Sequence, residues 1–172
     1  MDAQMKIYLA FSFGLEKIRT IAQNNSFSFI VALSDFFLNL PYNLEKDNLG
    51  EIRMADIILN LGSLAKTKGL HNWFEAVNQD YFERKKINKE NDLNHIIYLH
   101  FLLYSAFIDI RYEAYKSGNK EIYNIAHILH SIPLRLIKYR KNKKPIEEIL
   151  NNLKDKANSL QNSEWLIRAL ES

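Results

Sequence analysis

The chain has 172 residues, of which 25% are charged and 47% hydrophobic, and it has no cysteine. A chain of this length is expected to fold as one domain, residues 1–172, around a core that needs no metal or disulfide. The absence of cysteine excludes disulfides and zinc–thiolate sites and fits a reducing compartment such as the cytoplasm. The net charge is +3, but residues 1–134 hold 14 Lys and Arg against 15 Asp and Glu. The basic character therefore belongs to residues 135–172.

The residue composition favours helices over strands. Val and Thr, which are typical of strands, occur twice each, whereas Leu, Ile, Lys, Asn and Glu are plentiful. The N-terminal apolar stretch has Asp2 where a signal peptide has basic residues, so it is expected to be a helix. We predict an all-α bundle of seven or eight helices around a central apolar helix at about residues 92–117.

The apolar spacing predicts four helices before the central one, at about residues 3–23, 27–39, 49–67 and 70–86. One stripe of the first helix is expected to enter the core: Ile7, Phe11, Leu15, Ile18 and Ala22. Ser26 is expected to cap the second helix and Pro41 to end it. On the fourth helix, Trp73 and Tyr81 have the spacing of core residues. They are also candidate anchors for a protein partner, together with Tyr98, Tyr112 and Tyr139.

The central helix has very few polar residues. Between residues 96 and 110 the strongly polar side chains are His100, Ser105 and Asp109. A helix that is apolar nearly all round is surrounded by protein or by lipid. Polar interruptions and the lack of a second candidate span favour a buried core helix, so we predict no membrane partner. Asn91 or Asp92 can cap its start, and Gly118 can supply a left-handed residue after its end.

Four helices are predicted after Gly118, at about residues 119–130, 132–142 and 145–160, with a short last one beginning after Ser163. Pro133 cannot donate a backbone hydrogen bond, so a new helix is expected to start there with Ser131 as its cap.

The connection at Gly118 is short, so the helices on either side of it should be antiparallel. In that arrangement, residues in contact have numbers that sum to about 235. That sum places Asp109 opposite His127, with His130 one turn further. A carboxylate on an apolar helix is costly without a partner, so Asp109 is expected to accept a hydrogen bond from one of these histidines.

Arg111 lies two positions after Asp109 and should therefore point to another side of the helix, towards Glu121, Asn124 or solvent. With this register, His100 lies about two turns beyond His130, so the histidines do not converge. We predict no metal and no cofactor, and expect the histidines to be satisfied structural residues.

An Asp–His pair also orients a general base, which leaves a hydrolase built on Asp109 with His127 or His130 as an alternative. Ser105 is the nearby candidate nucleophile. The sequence has no Gly-x-Ser-x-Gly motif and no oxyanion loop. No residue is therefore predicted to be catalytic.

The segment 135–144 has six cationic side chains in ten residues. A basic patch with an aromatic residue, here Tyr139, can follow a phosphate backbone and stack on a base. The simpler interpretation is a solvated helix end. The alternative function is therefore a helical nucleic-acid-binding module that uses Arg135, Lys138, Arg140, Lys141, Lys143 and Lys144.

Two motifs in residues 109–133 resemble a known family. Asp109-Ile-Arg111-Tyr-Glu-Ala114 precedes Ile125-Ala-His-Ile-Leu-His130-Ser-Ile-Pro133, across a turn that contains Gly118. The pair resembles small helical immunity proteins of bacterial polymorphic-toxin and contact-dependent growth inhibition systems. In those proteins an Asp-x-Arg-x-x-Ala helix precedes one that ends in Asp-x-x-His-Asn-x-Pro; this chain has His127 and Ser131 at the Asp and Asn positions.

The resemblance implies a cytoplasmic protein, not an enzyme, that binds and neutralises one cognate toxin. The predicted partner-binding residues are those of the two motifs together with the aromatic anchors: Asp109, Arg111, His127, His130, Trp73 and Tyr81. Inhibitors that plug a nuclease cleft usually present an acidic face, whereas this chain is basic. Either the toxin is not a nuclease, or residues 1–134 present a local acidic patch.

Overall fold

The structure, a computed structural model, describes residues 2–38, 40–41, 54–87, 95–139 and 142–172. Within these ranges it contains nine α-helices and no strand, which confirms the all-α prediction. The nine helices correspond to the segments predicted one by one rather than to the predicted total of seven or eight. The helices, in chain order, are α1 (Ala3–Asn24), α2 (Ser28–Phe37), α3 (Met54–Thr67), α4 (His71–Ile87), α5 (His95–Ser117), α6 (Lys120–Leu129), α7 (Ile132–Lys138), α8 (Lys143–Ser159) and α9 (Glu164–Leu170).

Two long helices form the centre of the bundle. α5 is the predicted central helix, and it packs against α2, α4, α6 and α7. α1 packs against α2, α6, α8 and α9, so it connects the helices that follow α6 to the rest of the core. The predicted stripe of α1 is fully buried, because its residues recur every three or four positions and share one face. At Gly14, where a Cβ atom would lie 2.6 Å from Leu129 Cδ1, α1 approaches α6 closely.

A buried hydrogen bond joins the two central helices. The Tyr8 hydroxyl donates to Nε2 of His100 at 2.7 Å, and Nδ1 of His100 donates to the carbonyl of Ile96 at 2.7 Å. His100 is 0% exposed, and both of its ring nitrogens are satisfied, as predicted for a core histidine. Burial lowers the pKa of His100 to about 4, so the ring is neutral at physiological pH.

Most of the predicted helix ends are found where the sequence places them. Gly118 has φ 71° after α5, and Pro133 lies in the first turn of α7. Ser131 stands directly before α7, but its backbone is helical and its side chain makes no capping hydrogen bond, so that predicted cap is wrong. Ser26 does not cap α2 either. The chain turns from α1 into α2 through a left-handed residue, φ 60° at Ser26, and a cap residue has extended backbone instead. Phe27 holds the cap position of α2 without a side-chain hydrogen bond.

Several boundaries differ from the prediction or lie outside the described residues. α7 ends at Lys138 rather than near residue 142, because Tyr139 forms a turn. α8 begins at Lys143, two residues before Pro145. The predicted caps Asn91 and Asp92 are outside the described ranges, as is the start of the third predicted helix. None of the described helices combines the length and the apolar character that crossing a bilayer requires.

Candidate functional site

The turn between α5 and α6 sets the register of this helical hairpin. Gly118 ends α5, and the Asn119 side chain then accepts a hydrogen bond from the backbone N–H of Ile122 at 2.9 Å, which caps α6. Arg111 faces His127, and Tyr115 faces Tyr123. The numbers of facing residues therefore sum to about 238 rather than to the expected 235. This shift of nearly one helical turn changes which side chains meet across the hairpin.

The expected bond between Asp109 and a histidine is absent, and that prediction is wrong. The indole N–H of Trp73 on α4 donates to Oδ2 of Asp109 at 2.6 Å. The carboxylate therefore points across α5 towards α4. Burial raises the pKa of Asp109, with a further contribution from Glu113, while the bond from Trp73 acts in the opposite direction.

Arg111 takes the place opposite the histidines that was expected for Asp109. Its Nη1 donates to Nδ1 of His127 at 3.1 Å and to Nε2 of His130 at 3.4 Å. Nδ1 of His130 donates in turn to the carbonyl of His127 at 2.6 Å. The prediction that Arg111 reaches Glu121, Asn124 or solvent is therefore wrong. In this arrangement Nδ1 of His127 and Nε2 of His130 carry no proton, because each accepts a hydrogen bond from the guanidinium.

A row of aromatic rings runs along the same side of the hairpin. Tyr123 and His127 are stacked, with ring centroids 5.6 Å apart and an interplanar angle of 9°. Tyr115 lies 6.3 Å from Tyr123, and His130 lies 5.4 Å from His127. Tyr112 and Tyr115 are 58% and 73% exposed, which is unusual for large aromatic residues. We call the following set the aromatic–histidine surface: Tyr112, Tyr115, Tyr123, His127 and His130.

Two shallow hollows flank Arg111. The tyrosine hollow, about 390 Å³, is lined by Ile108, Asp109, Arg111, Tyr112, Tyr115 and Tyr123. The histidine hollow, about 420 Å³, lies between α6, α7 and α8. Its polar lining includes His127, His130, Arg135, Asp155 and Lys156.

The electrostatic environment of His130 opposes its protonation. Burial lowers the pKa of His130, and the neighbouring Arg111 and His127 lower it further, while the bond to the His127 carbonyl acts in the opposite direction. The cluster therefore contains one permanent cation, Arg111, beside the His130 imidazole, whose protonated form this cation disfavours.

Two of the predicted aromatic anchors, Tyr81 and Trp73, pack against the core rather than on this surface. Tyr81 is only 6% exposed, and its ring lies 5.2 Å from Tyr98 and 5.3 Å from Phe101. It therefore cannot contact a partner directly. Trp73 is partly buried, packs edge-on against Phe37 at 5.8 Å and positions Asp109.

The geometry required by the hydrolase alternative is not found. Ser105, its candidate nucleophile, is buried at 9% exposure, and Asp109 is bonded to Trp73 instead of to His127 or His130. Within the described residues, no three His, Asp or Glu side chains are grouped so that they could hold a metal ion.

The four described cations of the basic segment lie on two helices, Arg135 and Lys138 on α7 and Lys143 and Lys144 on α8. Arg135 is half-buried in the histidine hollow, whereas Lys138 is exposed and lies 5.3 Å from the Tyr139 ring. Lys143 and Lys144 are exposed in the first turn of α8, where Lys143 lies 3.8 Å from Glu147. The remaining two predicted residues, Arg140 and Lys141, lie outside the described part of the chain.

Sequence reasoning missed the exposure of Tyr115 and the role of Tyr123. Tyr115 follows the three- and four-residue steps of α5 that include Ile96 and Phe107, yet it is 73% exposed. A signal was present, because the last turns of α5 are mainly polar, with Arg111, Glu113 and Lys116. An aromatic residue among such neighbours indicates a surface position.

Comparisons with models of protein families, with curated proteins and with solved structures found no match to this chain. The resemblance of residues 109–133 to immunity proteins stays a prediction.

Proposed function

We propose that this protein binds a protein partner through the aromatic–histidine surface and that the partner is a bacterial toxin, which it neutralises without catalysing a reaction. The proposal combines an observation, the surface itself, with what the motifs around Asp109, Arg111 and His130 imply by resemblance. It places the protein in the cytoplasm of the bacterium that must be protected.

The observation that carries the proposal is the exposure of Tyr112 and Tyr115 beside Arg111. Tyrosine, tryptophan and arginine dominate the residues at which binding energy concentrates in protein interfaces. Tyr112 and Tyr115 expose more than half of their surface, while Tyr123 and His127 form a rigid stacked base next to them. A tyrosine on such a base loses little side-chain entropy when a partner covers it.

The hairpin also gives this surface a rigid support. Its inner side is part of the core, with Ile110, Ala114, Ile122 and Ala126 almost fully buried. The outer side carries the exposed rings. Residues on packed helices keep their relative positions better than residues on loops, which favours tight binding of one partner.

Co-expression with a toxin tests the proposal. An open reading frame for a secreted protein with a variable C-terminal domain, directly upstream, would supply the candidate toxin. We expect that domain to arrest growth alone, to be harmless with this protein and to co-purify with it. Arrest that continues despite abundant folded protein would contradict the proposal.

Variants of the surface make the test specific. Tyr112→Ala and Tyr115→Ala together should weaken toxin binding by at least about 100-fold, since each hot-spot residue contributes about 2 kcal/mol or more. Ile167, which is 39% exposed on α9, provides the control. Ile167→Ala removes a partly exposed apolar side chain elsewhere and should leave binding unchanged. Equal losses in the two variants would exclude the hairpin as the binding surface.

A further inference from the structure

Arg111 has an unusual set of partners for a half-buried cation. Its Nη1 bonds to two neutral imidazole nitrogens, and no carboxylate within the described residues lies at ion-pair distance from its guanidinium. Asp109, two positions earlier on α5, is bonded to Trp73. A guanidinium has five N–H donors, so Arg111 keeps donors for another acceptor.

The charges around the two histidines are mostly positive. Arg111 approaches them from α5, Arg135 from α7, and Lys156 and Asp155 from α8. Three cations thus face one carboxylate before either imidazole takes up a proton. Among the described residues Asp155 forms no ion pair with these cations. The local field therefore favours an incoming anion.

We propose that Arg111, together with His127 and His130, binds an acidic side chain, aspartate or glutamate, of the protein partner, and that protonation of the histidines strengthens this binding. The proposal deepens the proposed function, on which the identity of the partner as a protein rests. Exposed tyrosines beside the cluster favour a carboxylate carried on a protein surface, because the rings then pack against the apolar part of the partner.

Protonation has a defined consequence at this cluster. A protonated imidazole cannot accept the bond from Arg111, so proton uptake replaces an attractive contact with repulsion between cations. A bound carboxylate compensates those charges and favours the protonated rings. By linkage, proton uptake must then favour binding of the carboxylate to the same extent. Affinity for an acidic group should rise as the pH falls through the range in which histidine titrates.

The test uses the isolated full-length protein and two short peptides that differ only in having glutamate or glutamine at the same positions. NMR follows the ring signals of His127 and His130, with the exposed His71 on α4 as an internal reference. At equal ionic strength, we expect the glutamate peptide to shift the signals of the cluster but not those of His71. Its affinity should increase severalfold from about pH 8 to about pH 6, where glutamate stays ionised.

Two variants with the same change in net charge locate the site. Arg111→Gln should weaken binding of the glutamate peptide at least about fivefold, because it removes roughly one charge-assisted hydrogen bond. Arg168→Gln, at an exposed arginine on α9, should not weaken it. His127→Gln, at an exposed position, should remove much of the pH dependence and provides a second variant if Arg111→Gln fails to fold.

The outcomes separate this proposal from the proposed function. Equal binding of both peptides, no pH dependence, or equal effects of Arg111→Gln and Arg168→Gln would overturn the acidic-side-chain site. A toxin that Arg111→Gln neutralises as well as the unaltered protein would overturn it too, but would leave the proposed function standing. Binding of the glutamate peptide at Arg111 by a protein that neutralises no toxin would support the site and overturn the proposed function.

Discussion

The Trp73 indole N–H donates to Oδ2 of Asp109 at 2.6 Å and thereby connects α4 to α5. Removing the acceptor leaves a partly buried donor without a partner, so Asp109→Ala should lower the free energy of unfolding by about 1–3 kcal/mol. Asp109→Asn keeps an acceptor for the indole N–H and should lower the free energy of unfolding by less than Asp109→Ala does. Urea unfolding followed by tryptophan fluorescence measures both. An equal cost for the two variants would mean that the hydrogen bond contributes nothing.

The partly buried carboxyl group of Asp109 also makes the stability of the fold depend on pH. Burial raises the pKa of Asp109, so the folded protein binds this proton more tightly than the unfolded chain does. The protonated carboxyl group therefore contributes to the free energy of unfolding. This contribution is complete at pH values below the ordinary pKa of aspartate and is lost as the pH rises through the raised pKa of the folded protein. Asp109→Asn cannot ionise, so its stability should decline less over that range. Parallel stability curves for the two proteins would contradict this prediction.

The burial of His100 predicts the opposite pH dependence of stability. The pKa of His100 is lowered from 6.5 to about 4, so the unfolded chain binds this proton more tightly. Stability should fall by up to roughly 3 kcal/mol between pH 6.5 and pH 4. His100→Gln should flatten that part of the curve, even though it destabilises the protein at neutral pH. His71→Gln, at an exposed histidine, is the control and should keep the slope.

Aromatic residues of the core and of the surface should respond differently to truncation. Tyr81→Ala removes a buried ring, so we expect it to lower the free energy of unfolding by about 3–5 kcal/mol. Tyr115→Ala removes an exposed ring and should change that free energy by no more than about 0.5 kcal/mol. Thermal or urea unfolding of both variants gives the comparison. A large loss of stability in Tyr115→Ala would assign its ring a structural role.

The division of the basic segment predicts weak nucleic-acid binding. Among the described cations, Arg135 is half-buried in the histidine hollow, and the exposed Lys143 and Lys144 lie on a different helix, α8. Fluorescence anisotropy with labelled single- and double-stranded DNA should detect no tight binding at moderate salt. Tight binding that weakens steeply as salt rises, and that disappears in Lys143→Ala with Lys144→Ala, would instead favour the nucleic-acid alternative.

The sequence determined the fold class and the core of the two central helices. The stripe of α1 that contains Phe11 and Ile18 repeats every three or four residues, and this period is a local property of the chain. Between residues 96 and 110, α5 has so few polar side chains that nearly all of its sides can be buried in the bundle. The ends at Gly118 and Pro133 depend on backbone chemistry that is specific to glycine and proline.

Only the tertiary structure decided the partners of the polar residues. The geometry of Gly118 and Asn119 shifts the hairpin by nearly one turn, which places Arg111 rather than Asp109 opposite His127. The spacing of apolar residues along each helix does not predict this shift, because each helix alone is compatible with either register of the hairpin. The docking of α4 then supplies Trp73 to Asp109, a contact between residues 36 positions apart. Helical spacing alone does not distinguish Tyr81 from Tyr115. Neighbouring helices cover Tyr81 and leave Tyr115 exposed, because the burial of a helix face depends on which elements pack against it.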